Sequence, residues 1–320
     1  MLPIFQQIQV TSPSLADNLL GDEPTRNVLV YLPPSYQHNQ IKRYPVIYLL
    51  HGFGGTPEGW FSTSAGEPSI HLTMTELLSQ GAVEEMIIVV ADTQTRFTGA
   101  GYNNNPIQGN WLDFISEDLP AAIEANYRCK KGPEHRALMG HSSGGDGVLK
   151  TLLFKPGHFK QAVAMSPAQI NADDLSFFKD LYNNNQAQLT AAASGELTVE
   201  QLDVWQHLLC TRFQQVLPAP TKPPLYCLLP ESDQDWQGLA DAAFSRLMPK
   251  VGHNLKGVTL AIDIGKKEDT YQDCLQLVEQ MHDLGIAVSL FEFDGGHVDH
   301  MGKSLVYVLT WLSQALHQSQ

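Results

Sequence analysis

The chain has 320 residues, 43% of them hydrophobic and 17% charged, enough apolar content to bury a sizeable core. Twenty basic against 34 acidic side chains leave a formal charge of -14, which repels phosphate backbones and anionic lipid and argues against nucleic acid or membrane partners. No stretch reaches the roughly 18 consecutive apolar residues of a membrane span, no basic leader opens the chain, and Cys129, Cys210, Cys227 and Cys274 are too dispersed for a zinc site, so the expectation is a cytoplasmic protein with reduced thiols and no cofactor or metal.

In chain order, Ile4 to Val10 and Arg26 to Leu32 alternate apolar with polar residues, and the Gly21-Asp22-Glu23-Pro24 turn between them predicts an antiparallel pair. Tyr44 to Leu50 is a continuous apolar run, the pattern of a strand covered on both faces, and it ends in His51-Gly52-Phe53-Gly54-Gly55. Amides in such a glycine loop lack ladder partners and admit a close ligand oxygen, so Phe53 N–H, with Gly54 second, is a candidate oxyanion donor. A further buried strand spans Met86 to Ala91. The loop Asp92 to Asn110 is long enough to read as a wall of a binding cleft, with a surface Ω-loop as the plainer reading, and an amphipathic helix follows to about Asn126.

Ala137-Leu138-Met139 reads as a strand and Val148 to Phe154 as a helix; between them lies Gly140-His141-Ser142-Ser143-Gly144. This G-x-S-x-G pattern is a nucleophile elbow, in which glycines two before and two after the serine let the strand turn tightly into the helix. Gln161 to Met165 gives another strand. From 169 to 256 a polar, helix-rich segment interrupts the alternation and is expected to form a helical cap over the carboxyl edge where Ser142 emerges. Val258 to Ile264 resumes the strand pattern, Gly265-Lys266-Lys267-Glu268-Asp269 precedes a helix to about Leu284, and Ala287 to Phe293 runs into Asp294-Gly295-Gly296-His297 before the final helix. An antiparallel start followed by alternating strands and helices predicts one α/β domain, 1 to 320, with a mostly parallel sheet covered on both faces.

A neutral serine needs a base within hydrogen-bond reach and a carboxylate to orient that base. In an α/β-hydrolase fold these follow the serine in the order acid, histidine. His297, after the last strand, suits the base. The acid falls in the loop after Val258 to Ile264, where Glu268 and Asp269 are adjacent and equally placed; Asp263, within the strand, is less suitable. His141 and His51 flank the elbow and the glycine loop and are expected to bond backbone, while His297, Asp299 and His300 form only a weak metal pattern.

VYLPPSY, YPVIYLLHGFGG, GNWLDFISEDLPAAIEANYR, GHSSGG, the G-x-x-acid step at Gly265 to Glu268 and FEFDGGH occur in an order that resembles the putative esterases of the α/β-hydrolase superfamily, the group of feruloyl esterases, enterochelin esterases, S-formylglutathione hydrolases and mycolyltransferases. The resemblance implies Ser142 as nucleophile, His297 as base, and amides of Phe53 and Ser143 as the oxyanion hole. It also implies Glu268 as the acid, where the family usually carries aspartate, which keeps Asp269 as a rival. The glycine loop lacks the form of the S-formylglutathione enzymes, which argues against that substrate. The expectation is a serine esterase acting on a small-molecule ester through an acyl-enzyme. Acyl transfer to a sugar or alcohol and a non-catalytic binding protein are the alternatives, and a homo-oligomer is compatible with the sequence.

Overall fold

A computed structural model of the protein describes residues 4–64, 67–173 and 175–318. The strands and helices run β1 (Ile4–Thr11), β2 (Thr25–Leu32), β3 (Val46–Leu50), α1 (Ile70–Ser79), β4 (Ile87–Ala91), β5 (Asn104–Asn105), β6 (Gly109–Asn110), α2 (Trp111–Asp113), α3 (Leu119–Asn126), β7 (Arg136–His141), α4 (Ser143–Phe154), β8 (Gln161–Met165), α5 (Ser176–Ser194), α6 (Val204–Val216), α7 (Asp233–Asp241), α8 (Phe244–Val251), β9 (Thr259–Gly265), α9 (Tyr271–Asp283), β10 (Val288–Phe293) and α10 (Met301–Gln318). A π-helical turn, Phe114–Asp118, joins α2 to α3 where the sequence pattern suggests one uninterrupted helix.

Eight strands form one sheet in the order β1-β2-β4-β3-β7-β8-β9-β10. The two pairings at the β1 end are antiparallel, β1 with β2 and β2 with β4, and the remainder are parallel. The apolar runs β3, β4 and β8 are buried at every position because helices cover both faces, as their composition requires. On one face α3, α4, α8 and α9 pack on the sheet through residues such as Ile123, Leu149, Phe244 and Leu277; on the other, α1 and α10 do so through Met74, Leu77, Leu305 and Leu309. Registers align Leu50 with Gly140, His141 with Met165, Met165 with Asp263 and Gly265 with Phe293, so the parallel strands end along one edge. The four cysteines are free and buried, and no helix among the described residues is long and apolar enough to cross a membrane.

The segment 169–256 divides in two. Helices α5 to α7 build a separate small core around Tyr182, Leu189, Leu209, Phe213 and Trp236, whereas α8 places Phe244 and Met248 in the main core beneath the sheet. The reason is topological: β9 lies parallel to β8, so the chain has to return to the sheet's opposite edge, and α8 lies on that return. Asp203 sets the start of α6 by accepting from the N–H groups of Trp205 and Gln206, with Gln206 bonding back to the cap backbone, a capping box of about 1 kcal/mol. Loop 92–110 is largely interior. Phe97 and Ile107 enter the small core, and His207 Nε2 donates to Val199 O at 2.8 Å while its Nδ1 lies 2.6 Å from Thr98 Oγ1, tying the loop to α6.

Candidate active site

Ser142 sits between β7 and α4 at φ 58°, ψ -123°, a backbone conformation costly for any residue with a side chain. Its neighbours make the turn possible. A Cβ on Gly140 would lie 2.4 Å from Gly144 O, one on Gly144 2.2 Å from Leu50 O, and one on Gly145 2.7 Å from Met165 O. Each glycine is therefore a packing requirement of strand against helix, and the serine is the one residue of the turn left at the surface of the edge.

The loop after β10 brings His297 to it. The Ser142 hydroxyl lies 2.8 Å from His297 Nε2, and His297 Nδ1 lies 2.7 Å from Glu268 Oε2. The imidazole is 41% exposed at its side chain, the carboxylate 2%. Glu268 Oε1 accepts from Ser166 Oγ at 2.6 Å and from Gly265 N–H at 2.8 Å. Burial pushes this carboxyl pKa up, but the bonds from His297, Ser166 and Gly265 outweigh it and hold the group below the usual carboxylate range.

Of the two adjacent acids it is Glu268 that reaches His297; Asp269 is exposed and has no hydrogen bond to the imidazole. A short turn makes the difference, since Glu268 N–H donates to Gly265 O while Gly265 N–H donates to the Glu268 side chain, folding that side chain inward. Asp263 is buried and accepts from Tyr307 OH at 2.5 Å, and burial raises it to about 6. Nearby, Asp299 accepts from Gly296 N–H, and His300 stacks on Phe293 with ring centroids 4.5 Å apart.

Both flanking histidines bond backbone. His51 Nε2 accepts from Thr93 N–H, which leaves the proton on Nδ1 for Gly52 O at 2.9 Å. His141 Nε2 lies 2.8 Å from the carbonyl of His297, and burial, with His297 beside it, lowers its pKa to about 4, so it stays neutral and donates. That bond pins the main chain that carries the His297 imidazole. Ser166, at φ 44°, was not distinguishable in sequence from any serine ending a strand; its role emerges only because β8 lies between β7 and β9.

The glycine loop lies against the elbow: a Cβ on Gly52 would sit 3.3 Å from Ser142 Cβ. Phe53 N–H has no acceptor among the described residues, and Ser143, first residue of α4, has no intrahelical acceptor for its own. The Phe53 ring packs on Gly99, where a Cβ would come within 2.8 Å, which ties the loop to residues 92–110. These two unpaired amides, one in the glycine loop and one at the N-terminus of α4 beside the Ser142 hydroxyl, suit an oxygen bearing negative charge.

A mostly parallel eight-stranded sheet, helices on both faces, and a serine on a strand-to-helix elbow define the α/β-hydrolase class. Within that class the chain belongs to the Esterase family, described as "Putative esterase", whose profile matches residues 22–290. It is similar to the S-formylglutathione hydrolase of Mus musculus, 28% identical over 43% of this chain and 50% of the mouse protein. It is also similar to an esterase of Mycobacterium tuberculosis, 34% identical over 48% of this chain and 31% of that protein; the chain thus matches half or less of these relatives' length. Among solved structures, a ferulic acid esterase is 21% identical with a TM-score of 0.64, covering 98% of this chain and 100% of the other. An S-formylglutathione hydrolase from Staphylococcus aureus is 17% identical with a TM-score of 0.61 at the same coverage. At these identities the structural likeness shows the fold.

Proposed function

We propose that the protein is a serine carboxylic-ester hydrolase working through an acyl-enzyme. Ser142 Oγ attacks the ester carbonyl as its proton passes to His297 Nε2. Glu268 holds His297 in the tautomer with the proton on Nδ1 and stabilises the imidazolium that forms. The carbonyl oxygen, becoming an oxyanion, is received by the Phe53 and Ser143 N–H groups, each worth about 3 to 4 kcal/mol of transition-state stabilisation. His297 then protonates the leaving alcohol and activates the water that releases the acid. The observation that carries this reading is the unbroken line of hydrogen bonds from the Ser142 hydroxyl through His297 to a buried, ionised Glu268.

Helices α5 to α7 are read as one wall of the substrate cleft. Val204, at the start of α6, stands against the glycine loop, its Cγ2 3.6 Å from where a Cβ on Gly54 would be, and Phe177 and Trp205 beside it are more than half exposed with ring centroids 6.2 Å apart. Ser142→Ala should reduce turnover of a chromogenic short-chain ester by about 10⁶-fold, to near background; retained turnover would overturn the assignment. A panel of aryl, feruloyl, alkyl and thioesters, with product analysis in added alcohol, identifies the substrate and separates hydrolysis from acyl transfer.

A further inference from the structure

A second cavity, of about 390 Å³, lies away from Ser142 between the outer face of α4, the Asn103-Asn104-Asn105 stretch and helices α6 to α8. Its lining includes Lys150, which is 2% exposed and has no carboxylate within ion-pair distance among the described residues. Lys150 Nζ donates to Gly101 O at 3.0 Å, and that carbonyl also accepts from Asn103 Nδ2. An ammonium has three protons to place, so two remain.

Asp146, one turn earlier on α4, does not supply the missing charge. Its Oδ2 takes Arg212 at 2.9 Å and its Oδ1 accepts from the N–H groups of Ala168 and Gln169. Two buried basic side chains thus face one buried carboxylate, which is already bonded to Arg212. Burial, with Arg212 adding repulsion that Asp146 only partly offsets, lowers Lys150 to about 7.

The other unsatisfied groups are donors too. Asn105 Nδ2 and Gln215 Nε2 are buried with no partner; the Asn105 amide cannot be turned round, because its Oδ1 already accepts from Ile107 and Gln108 N–H, whereas the Gln215 amide can present either end to a ligand. Phe154, Val216, Ala242 and Leu247 supply apolar wall; Asp241, the acidic member of the lining, is solvent-exposed. A polar interior is completed by whatever its groups lack, and these lack acceptors and negative charge.

We propose that this cavity binds a small organic anion, its carboxylate or phosphate head on Lys150, Asn105 and Gln215 and its apolar body against Phe154 and Val216. The site is separate from the ester-cleaving reading and does not depend on it. The test is calorimetric titration and thermal melting of the full chain at pH 6.5 with butyrate, glycerol phosphate or inorganic phosphate, against chloride at equal ionic strength. A Ser142→Ala background keeps the readout independent of turnover.

The expected result is saturable binding of at least one of these anions with a rise of several degrees in Tm, the stronger ligand identifying the head group. Lys150→Met should weaken binding at least tenfold while melting no lower than the unliganded parent, since it removes an uncompensated buried charge. Should Lys150→Met not fold, Gln215→Leu gives the same comparison at the cavity wall, with binding weakened severalfold. Indifference to all three anions, or equal binding in the folded variants, overturns the proposal and leaves Lys150 as a tie to Gly101.

Discussion

Glu268 is held by three donors, the His297 ring, the Ser166 hydroxyl and the Gly265 N–H. On the proposed mechanism Glu268→Gln loses the charge that orients and stabilises the imidazolium, and kcat should fall by about 10⁴-fold, while Asp269→Asn should stay within a fewfold of the parent. Steady-state kinetics of the pair on one ester checks this; the reverse ranking would make Asp269 the acid. Ser166→Ala removes one charge-assisted bond from a buried carboxylate, worth about 1.5 to 3 kcal/mol, and should lower kcat by roughly tenfold or more with KM little changed. That Ser142 and His297 come together was legible in sequence because glycines and chain order mark them. The choice between Glu268 and Asp269 was not, since it depends on the turn closed by Gly265, whose hydrogen bonds leave no mark on composition.

At the scale of elements, α4 is the hinge of the arrangement, carrying the elbow at one end and a buried charge cluster along its length. Every residue from Ser143 to Leu153 is buried, the polar Asp146, Lys150 and Thr151 included. Asp146 and Lys150 look like solvated positions until α6 closes over them with Arg212, a contact 66 residues away in sequence from Asp146. Arg212→Met leaves the Asp146 carboxylate buried without its cation and should cost about 3 to 5 kcal/mol, read as a lowered urea midpoint. Gly144→Ala forces a methyl to within 2.2 Å of Leu50 O and should cost several kcal/mol and displace the elbow, visible as low soluble yield or lost activity. The sequence leads to the expectation of one cap segment over 169–256. Its division was not legible, because the sequence does not show that α8 belongs beneath the sheet with Phe244 and Met248 in the main core.

For the molecule as a whole, the sheet gathers loops from distant parts of the chain along one edge, and the same crowding leaves Asp263 in the interior beside Glu268. Its native pKa, raised by burial from an ordinary 3.8 to about 6, means the folded state holds a proton that the unfolded chain releases between those values. Stability from this group is therefore present below about pH 4, declines as pH rises to about 6, and stays lower above it, a loss on the order of 3 kcal/mol. Asp263→Asn should accordingly be more stable than the parent at pH 8, with the gap closing toward pH 4, as measured by denaturant unfolding at the two pH values.

The central claim is that Ser142 is a nucleophile activated by His297. Peptide mass spectrometry after treatment with a fluorophosphonate tests it most directly. One adduct is expected, on Ser142, absent from Ser142→Ala and strongly slowed in His297→Ala; an unmodified Ser142, or undiminished labelling of either variant, would rule out this nucleophile.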